Sequence, residues 1–252
     1  MKKFLFTLAI GLATLTSCSE DDSVSTLPGD ASSNDGILPT KVDVVYSDGE
    51  TETIEYTYEG MTLIKEESSD GYYTDYVYED SKITEINYNN AQNEEILESY
   101  TYNTQGRIAT ISTNIIGVGV YEYNLTYNAD SSVVTETSIT SPGSEPSTTT
   151  ISNGNMVGEN EGGVNITTYT HDSMNAPFKN INNRSVLLTI NSENGYNYLF
   201  NVNNILKDDT ESTMFPENIT NTYAYTDYDF PRVTTENYDG DITTYTYTYN
   251  ND

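Results

Sequence analysis

Tryptophan is absent from this sequence, which holds a single cysteine, a single histidine and only 10 lysines and arginines in 252 residues. One cysteine cannot form an intrachain disulfide, so no disulfide framework shapes the chain. One histidine leaves a His-based triad or a zinc site only His171 to build on, with Asp172 as its immediate neighbour. With 39 acidic residues the formal net charge is -29, and the basic patch that neutralises phosphates in nucleic-acid binding has almost nothing to draw on. Nucleic acid is excluded as an expected partner. Missing tryptophan removes the best sugar-stacking platform, although tyrosine can take its place. Nowhere does the chain reach the ~18 consecutive apolar residues that a spanning helix requires.

The abundance is in tyrosine: 23 of them against 6 phenylalanines. Tyrosine, threonine and valine favour half-buried pleated strands, which biases the chain towards sheet. From residue 41 onward the sequence alternates with period two. Ile54, Tyr56 and Tyr58 fall on one face, and Thr53, Glu55 and Thr57 on the other. The same split recurs in Tyr121, Tyr123, Leu125 and Tyr127, in Tyr196, Tyr198, Phe200 and Val202, and in Tyr245, Tyr247 and Tyr249. Such strands are half-buried and antiparallel in type.

Aligned on tyrosine pairs, EYTYEGMTLIKE, DYVYEDSKITEI, SYTYNTQGRIATI, TYTHDSMNAPFKNI and AYTDYDFPRV form a repeat. Each unit has a Tyr-x-Tyr strand end, a polar turn and a second strand opened by apolar residues three apart: Ile83 with Ile86, Ile108 with Ile111, Phe178 with Ile181. One β-hairpin per repeat is expected, with a bulge or wide turn where the second strand starts. Asp48-Gly49, Asp70-Gly71 and Asp239-Gly240 lie between strand patterns. They read as type I′ hairpin turns, or as carboxylates offered to calcium, without the twelve-residue spacing of an EF-hand. His171 occupies the position of a repeat's second tyrosine and reads as a structural replacement for it.

About 12 to 16 strands of ordinary length follow from this pattern. No segment shows helical periodicity, so nothing but the sheet itself can cover the tyrosine face. The expected fold is all-β: an antiparallel meander of Tyr-rich hairpin repeats, curled into a barrel or folded into two layers. An integral outer-membrane barrel would need an apolar lipid-facing side about 25 Å tall, and the face opposite the tyrosines is Thr, Glu, Asn and Asp.

The first residues follow a different rule. Met1-Lys2-Lys3, an apolar run from Phe4 to Leu15 and then Leu15-Thr16-Ser17-Cys18 have the organisation of a secretion signal. This stretch resembles the lipobox of bacterial lipoproteins, in which cleavage precedes the cysteine and its sulfur carries a diacylglycerol. The resemblance implies residues 1–17 as signal peptide and Cys18 as the lipid attachment site, with acyl chains, palmitate among them, adding about 0.8 kcal/mol of membrane affinity per buried methylene. A free thiol or an intermolecular disulfide is the plainer reading of a lone cysteine. If Cys18 is lipidated, thiol catalysis and cysteine-ligated metal are excluded as well. Residues 18–40 then read as an acidic Ser/Gly/Asp tether, and 41–252 as a single β domain. Ser19, Glu20, Asp21 and Asp22 resemble the signal that exports Bacteroidota lipoproteins to the outer face of the outer membrane; read alone, they are a solvated charge run.

Tyr100-Thr-Tyr102-Asn-Thr-Gln-Gly106-Arg107-Ile108 resembles the YD repeat of RHS-type β-shell proteins, although only this unit carries the Gly-Arg pair. In organisation the chain is more similar to uncharacterised Bacteroidota outer-membrane lipoproteins with a porin-like β domain, a resemblance that implies a fold and no activity. The function expected is that of a non-enzymatic, lipid-anchored envelope protein facing the exterior, with a binding or structural role towards a glycan, a peptide or another envelope protein. No catalytic residues, metal or cofactor are expected. A carboxylate-based carbohydrate-active hydrolase is the second reading and a calcium-dependent adhesin the third; with so many acids, some carboxylate pair will meet glycosidase spacing by chance.

Overall fold

The computed structural model describes residues 36–89, 95–163, 165–190, 197–212 and 217–251. Its first eight strands are β1 (Pro39–Val45), β2 (Thr51–Glu59), β3 (Thr62–Ser68), β4 (Tyr73–Glu79), β5 (Lys82–Asn89), β6 (Glu95–Tyr102), β7 (Ile108–Ile115) and β8 (Gly119–Tyr127). They are followed by β9 (Val133–Ser138), β10 (Ser147–Ser152), β11 (Asn155–Glu161), β12 (Asn165–Asn175), β13 (Asn203–Ser212), β14 (Glu217–Tyr225), β15 (Pro231–Tyr238) and β16 (Asp241–Tyr249). Each pairs antiparallel with its sequence neighbours, and β1 pairs with β16, so the meander closes into a barrel. The first and last strands meet at this seam. Asn250 N–H donates to the Leu38 carbonyl at 3.0 Å, and Leu38 N–H donates to Asn250 Oδ1 at 3.1 Å.

The period-two pattern sorts inside from outside. Tyr56, Tyr76, Tyr100, Tyr247 and Tyr249 are buried on the inner face, together with Leu63, Ile83, Ile86 and Ile108. Threonine and charged residues face out, as at Thr51, Glu55, Thr57 and Glu59 of β2. On β8 and β12, Glu122, Asn124, Thr126, Thr168 and Thr170 are likewise exposed. Among the described residues the outer face carries no continuous apolar belt, only scattered positions such as Val77 and Ile166.

The repeat has a physical explanation. Thr57 faces Lys65 while Tyr58 faces Leu63, which leaves Ile64 as an extra residue on β3. The same irregularity leaves Thr84 extra on β5 and Ala109 extra on β7. A bulge of one residue lets positions three apart point to the same side, so Ile83 and Ile86 both reach the core. At the bulge, moreover, the neighbouring repeat docks. Tyr58 Oη donates to the Pro39 carbonyl at 2.7 Å, Tyr78 to that of Leu63 at 2.8 Å, and Tyr102 to that of Ile83 at 2.7 Å. Tyr223 and Tyr249 do the same to Ile205 and Pro231, at 2.6 and 2.8 Å. Each acceptor immediately precedes an irregularity in its own strand's pairing. A cation adds to the staple in two repeats. Lys82 Nζ lies 5.1 Å from the Tyr102 ring centroid, and the Arg107 guanidinium 4.5 Å from that of Tyr127. That is the role of the Gly106-Arg107 pair: Gly106 takes a φ of 76° in the turn, and Arg107 covers the tyrosine of the next repeat.

Two readings of the sequence are corrected here. The TYTHDSMNAPFKNI unit does not form a hairpin, because after Asn175 the chain leaves the sheet and returns only at Asn203. Phe178 and Ile181 belong to this excursion, as does a helix, α1 (Arg184–Ile190). Phe200, read as part of a strand with Tyr198 and Val202, instead ends a 3-10 turn over Asn197–Phe200. A stretch with Phe178, Leu187, Leu188, Ile190 and Phe200 all nearly fully buried has too much apolar surface for a half-exposed strand. It folds as a plug across the barrel end where the Tyr-x-Tyr pairs lie.

Candidate functional site

The plug gives the barrel a floor. Phe178 stands edge-on to Tyr56 with ring centroids 4.9 Å apart, and is 5.6 Å from Phe200. Polar clasps tie the plug to the far wall: Asn180 Nδ2 donates to the Ile37 carbonyl at 3.0 Å, Asn182 N–H to that of Met61 at 2.9 Å, and Asn182 Nδ2 to Thr62 Oγ1 at 3.0 Å. Arg184, 2 % exposed, donates from Nη1 to the carbonyls of Gly154 and Phe200 at 3.0 and 2.7 Å. Two asparagines hold the plug's return. Asn201 Oδ1 accepts from Met156 N–H at 2.6 Å, and Asn155 Oδ1 accepts from Val202 and Asn203 N–H at 2.8 and 2.9 Å.

Above this floor lies a cavity of about 910 Å³, lined by Ala176, Pro177, Leu199 and Phe200 below and reaching Tyr46, Tyr72, Ile116 and Val118 at the opposite rim. Those rim residues sit in the turns β1–β2, β3–β4 and β7–β8, and all four are exposed. Among the described residues the barrel is therefore a cup, floored at one end and open at the other, with an aromatic and aliphatic lip. Its size lies within the range usual for small-ligand sites.

The wall of the cup is built from tyrosine and carboxylate. Tyr76 Oη donates to Glu66 Oε1 at 2.5 Å, Tyr46 to Glu52 Oε2 at 2.5 Å, Tyr169 to Glu159 Oε2 at 2.6 Å and Tyr245 to Glu236 Oε1 at 3.4 Å. Deeper in the wall Tyr100 Oη donates to Glu98 Oε2 at 2.5 Å, and Glu98 is only 3 % exposed. Burial raises the Glu66 carboxyl above its ordinary value, and the Tyr76 hydrogen bond offsets part of that rise. Burial also raises Glu236; the Tyr245 hydroxyl counters it and the charge of Asp208 adds to it. Burial pushes Tyr247 up to about 12, so this phenol stays neutral. Among the described residues the lining holds no lysine, arginine or histidine.

His171 lies on the inner-facing register of β12, in line with Tyr169. Its Nε2 is buried with no hydrogen-bond partner among the described residues, and burial lowers its pKa, so the ring is neutral at neutral pH. Asp172 does not serve it. That carboxylate accepts hydrogen bonds from Tyr225 Oη, from Met174 N–H at 2.9 Å and from Asn204 N–H at 3.1 Å. Asp48, Asp70 and Asp239 all fall in hairpin turns; at Asp239-Gly240 both φ values are positive, 51° and 102°, as a type I′ turn needs, whereas at Asp48-Gly49 and Asp70-Gly71 only the glycine has a positive φ, so those two turns are not type I′. Among the described residues no group of three or more His, Cys, Asp or Glu is placed to hold a metal ion. Cys18, Ser19, Glu20, Asp21 and Asp22 lie outside the described residues.

Sequence reasoning missed the cup's carboxylates. Glu66, Asp208 and Glu236 share the inner face with tyrosines, whereas the alternation had assigned acids to the outer one. The signal was present in TLIKEES, where the bulge at Ile64 shifts the register and turns Glu66 inward. The plug was also missed, although Asn175-Ala-Pro177-Phe178 breaks the period.

No protein-family model matches this chain, and no curated protein does either. Among solved structures, it is similar to a porin-like protein from Bacteroides uniformis, with 16% sequence identity and a TM-score of 0.53 over 84% of this chain and 96% of that one. A porin-like protein from Bacteroides vulgatus shares 11% identity at a TM-score of 0.41, over 84% of this chain and 98% of that chain. The likeness to the Bacteroides uniformis structure is one of fold: an all-β antiparallel barrel.

Proposed function

We propose that this chain is a non-enzymatic, lipid-anchored protein of the bacterial outer membrane, and that its barrel is a one-ended cup for capturing a ligand outside the cell. The observation that carries this reading is the pairing of a floored, ligand-sized cavity with a polar outer wall. A barrel that crossed the bilayer would present an apolar belt to lipid; this one presents threonine and glutamate, so a lipid on Cys18 supplies the attachment instead. Residues 36–38 lead into β1 at the plugged end, where Leu38 meets Asn250. The mouth lies at the barrel end opposite residues 36–38, and what it takes up is a glycan, a peptide or another envelope protein.

The test combines location with turnover. Cells fed an alkyne-bearing palmitate analogue are expected to label the wild-type protein and not the Cys18→Ser variant, and protease added to intact cells is expected to remove the domain. Absence of label, or a domain untouched until the cells are lysed, would refute the anchored, exterior reading. Glu236, raised by burial with Asp208 nearby, favours a carboxylate hydrolase as the second reading. Glycan hydrolysis that Glu236→Gln abolishes would replace capture with catalysis.

A further inference from the structure

Resting on the cup reading, we propose that its ligand is an amphiphilic organic cation: a protonated amine on an apolar body. The cavity's charges are of one sign. Glu66, Asp208 and Glu236 line it, and among the described residues no basic side chain does, so the potential inside favours a cation and repels a carboxylate or phosphate.

Its buried unmatched hydrogen-bonding groups lean the same way, two amide oxygens against one hydroxyl, that of Thr234. The phenols of Tyr76 and Tyr245, the natural donors beside Glu66 and Glu236, are already engaged by them. Acceptors are left over. Asn204, 3 % exposed, and Asn221 both line the cavity, and the Oδ1 of each is buried with no hydrogen-bond partner. A wall with unmatched acceptors calls for a ligand that brings N–H donors, and an ammonium brings three.

An inorganic ion would leave the rest of the cup unfilled. The floor is Phe200 with its apolar neighbours, and the volume of about 910 Å³ accommodates an alkyl or aryl body well beyond the size of a hydrated metal. Charge and floor together describe one molecule, apolar at one end and cationic at the other.

The experiment is calorimetric titration of the full chain carrying Cys18→Ser with three probes of equal length: n-octylammonium, 1-octanol and octanoate. Octylammonium is expected to bind at least about tenfold more tightly than octanol, with octanoate giving no detectable heat. Replacing both Glu66→Gln and Glu236→Gln is expected to remove about tenfold of the octylammonium affinity and leave octanol unchanged, which also reports that the cup is still folded. Equal binding of octanol and octylammonium would overturn the cation preference and leave the cup standing. Binding by none of the three would overturn both.

Discussion

Glu66 shows what the interior demands of a single side chain. Its carboxyl sits within the barrel beside Tyr76, with Tyr58 and Tyr78 also feeling its charge, and burial holds its folded pKa above that of the unfolded chain. A carboxylate raised in this way binds its proton more tightly when folded. It therefore costs stability when ionised, and that cost disappears as pH falls below the unfolded value of about 4.3. Glu66→Gln keeps an oxygen for the Tyr76 hydroxyl and removes the charge. The variant is expected to melt above wild type at pH 7, with the gap closing as pH is lowered towards 4. A variant less stable than wild type at pH 7 would show that the charge is stabilised by its setting. An acid kept at such a cost is the pattern of a group retained for binding rather than for folding.

At the scale of elements, the unit is a hairpin joined to its neighbour by a tyrosine. Tyr102→Phe keeps the ring under Lys82 and loses the hydroxyl that reaches the Ile83 carbonyl. The expected cost is about 1 to 2 kcal/mol, since a buried carbonyl is left unsatisfied. Urea denaturation should show it as a lower midpoint with an unchanged slope. No shift would mean that water replaces the phenol at the bulge. Much of this was legible in the sequence: Tyr100-x-Tyr102 and Ile108-x-x-Ile111 state a strand end and a bulged start, because side-chain direction in a strand follows from position alone. What was not legible follows from distance along the chain. Arg184 meets Gly154 and Phe200, and Asn180 meets Ile37, contacts that no local pattern encodes. The inward acids were hidden because a bulge exchanges the two faces, and an acid among tyrosines looks the same on either side until the register is known.

Over the whole molecule, polarity is distributed in reverse of a membrane barrel. Lys41, Asp43, Lys65 and Glu67 form exposed pairs on the outside, where a lysine at the bilayer midplane would cost about 2 to 4 kcal/mol. The plug also closes one end. Purified protein added to a planar lipid bilayer is thus expected to give no stepwise conductance, and reproducible unitary steps would reject the anchored-cup reading in favour of a pore.

The seam between β1 and β16 has a mechanical consequence. β1 is held on both sides, residues 41–45 by β2 and residues 39–45 by β16. Hydrogen bonds in an antiparallel ladder lie across the strands, so a pull from the N-terminal side loads both ladders in shear and must break them together. A hairpin strained across its strands would instead yield one pair at a time. The first strand is gripped by the last, and a load on it is shared around the ring instead of peeling it open.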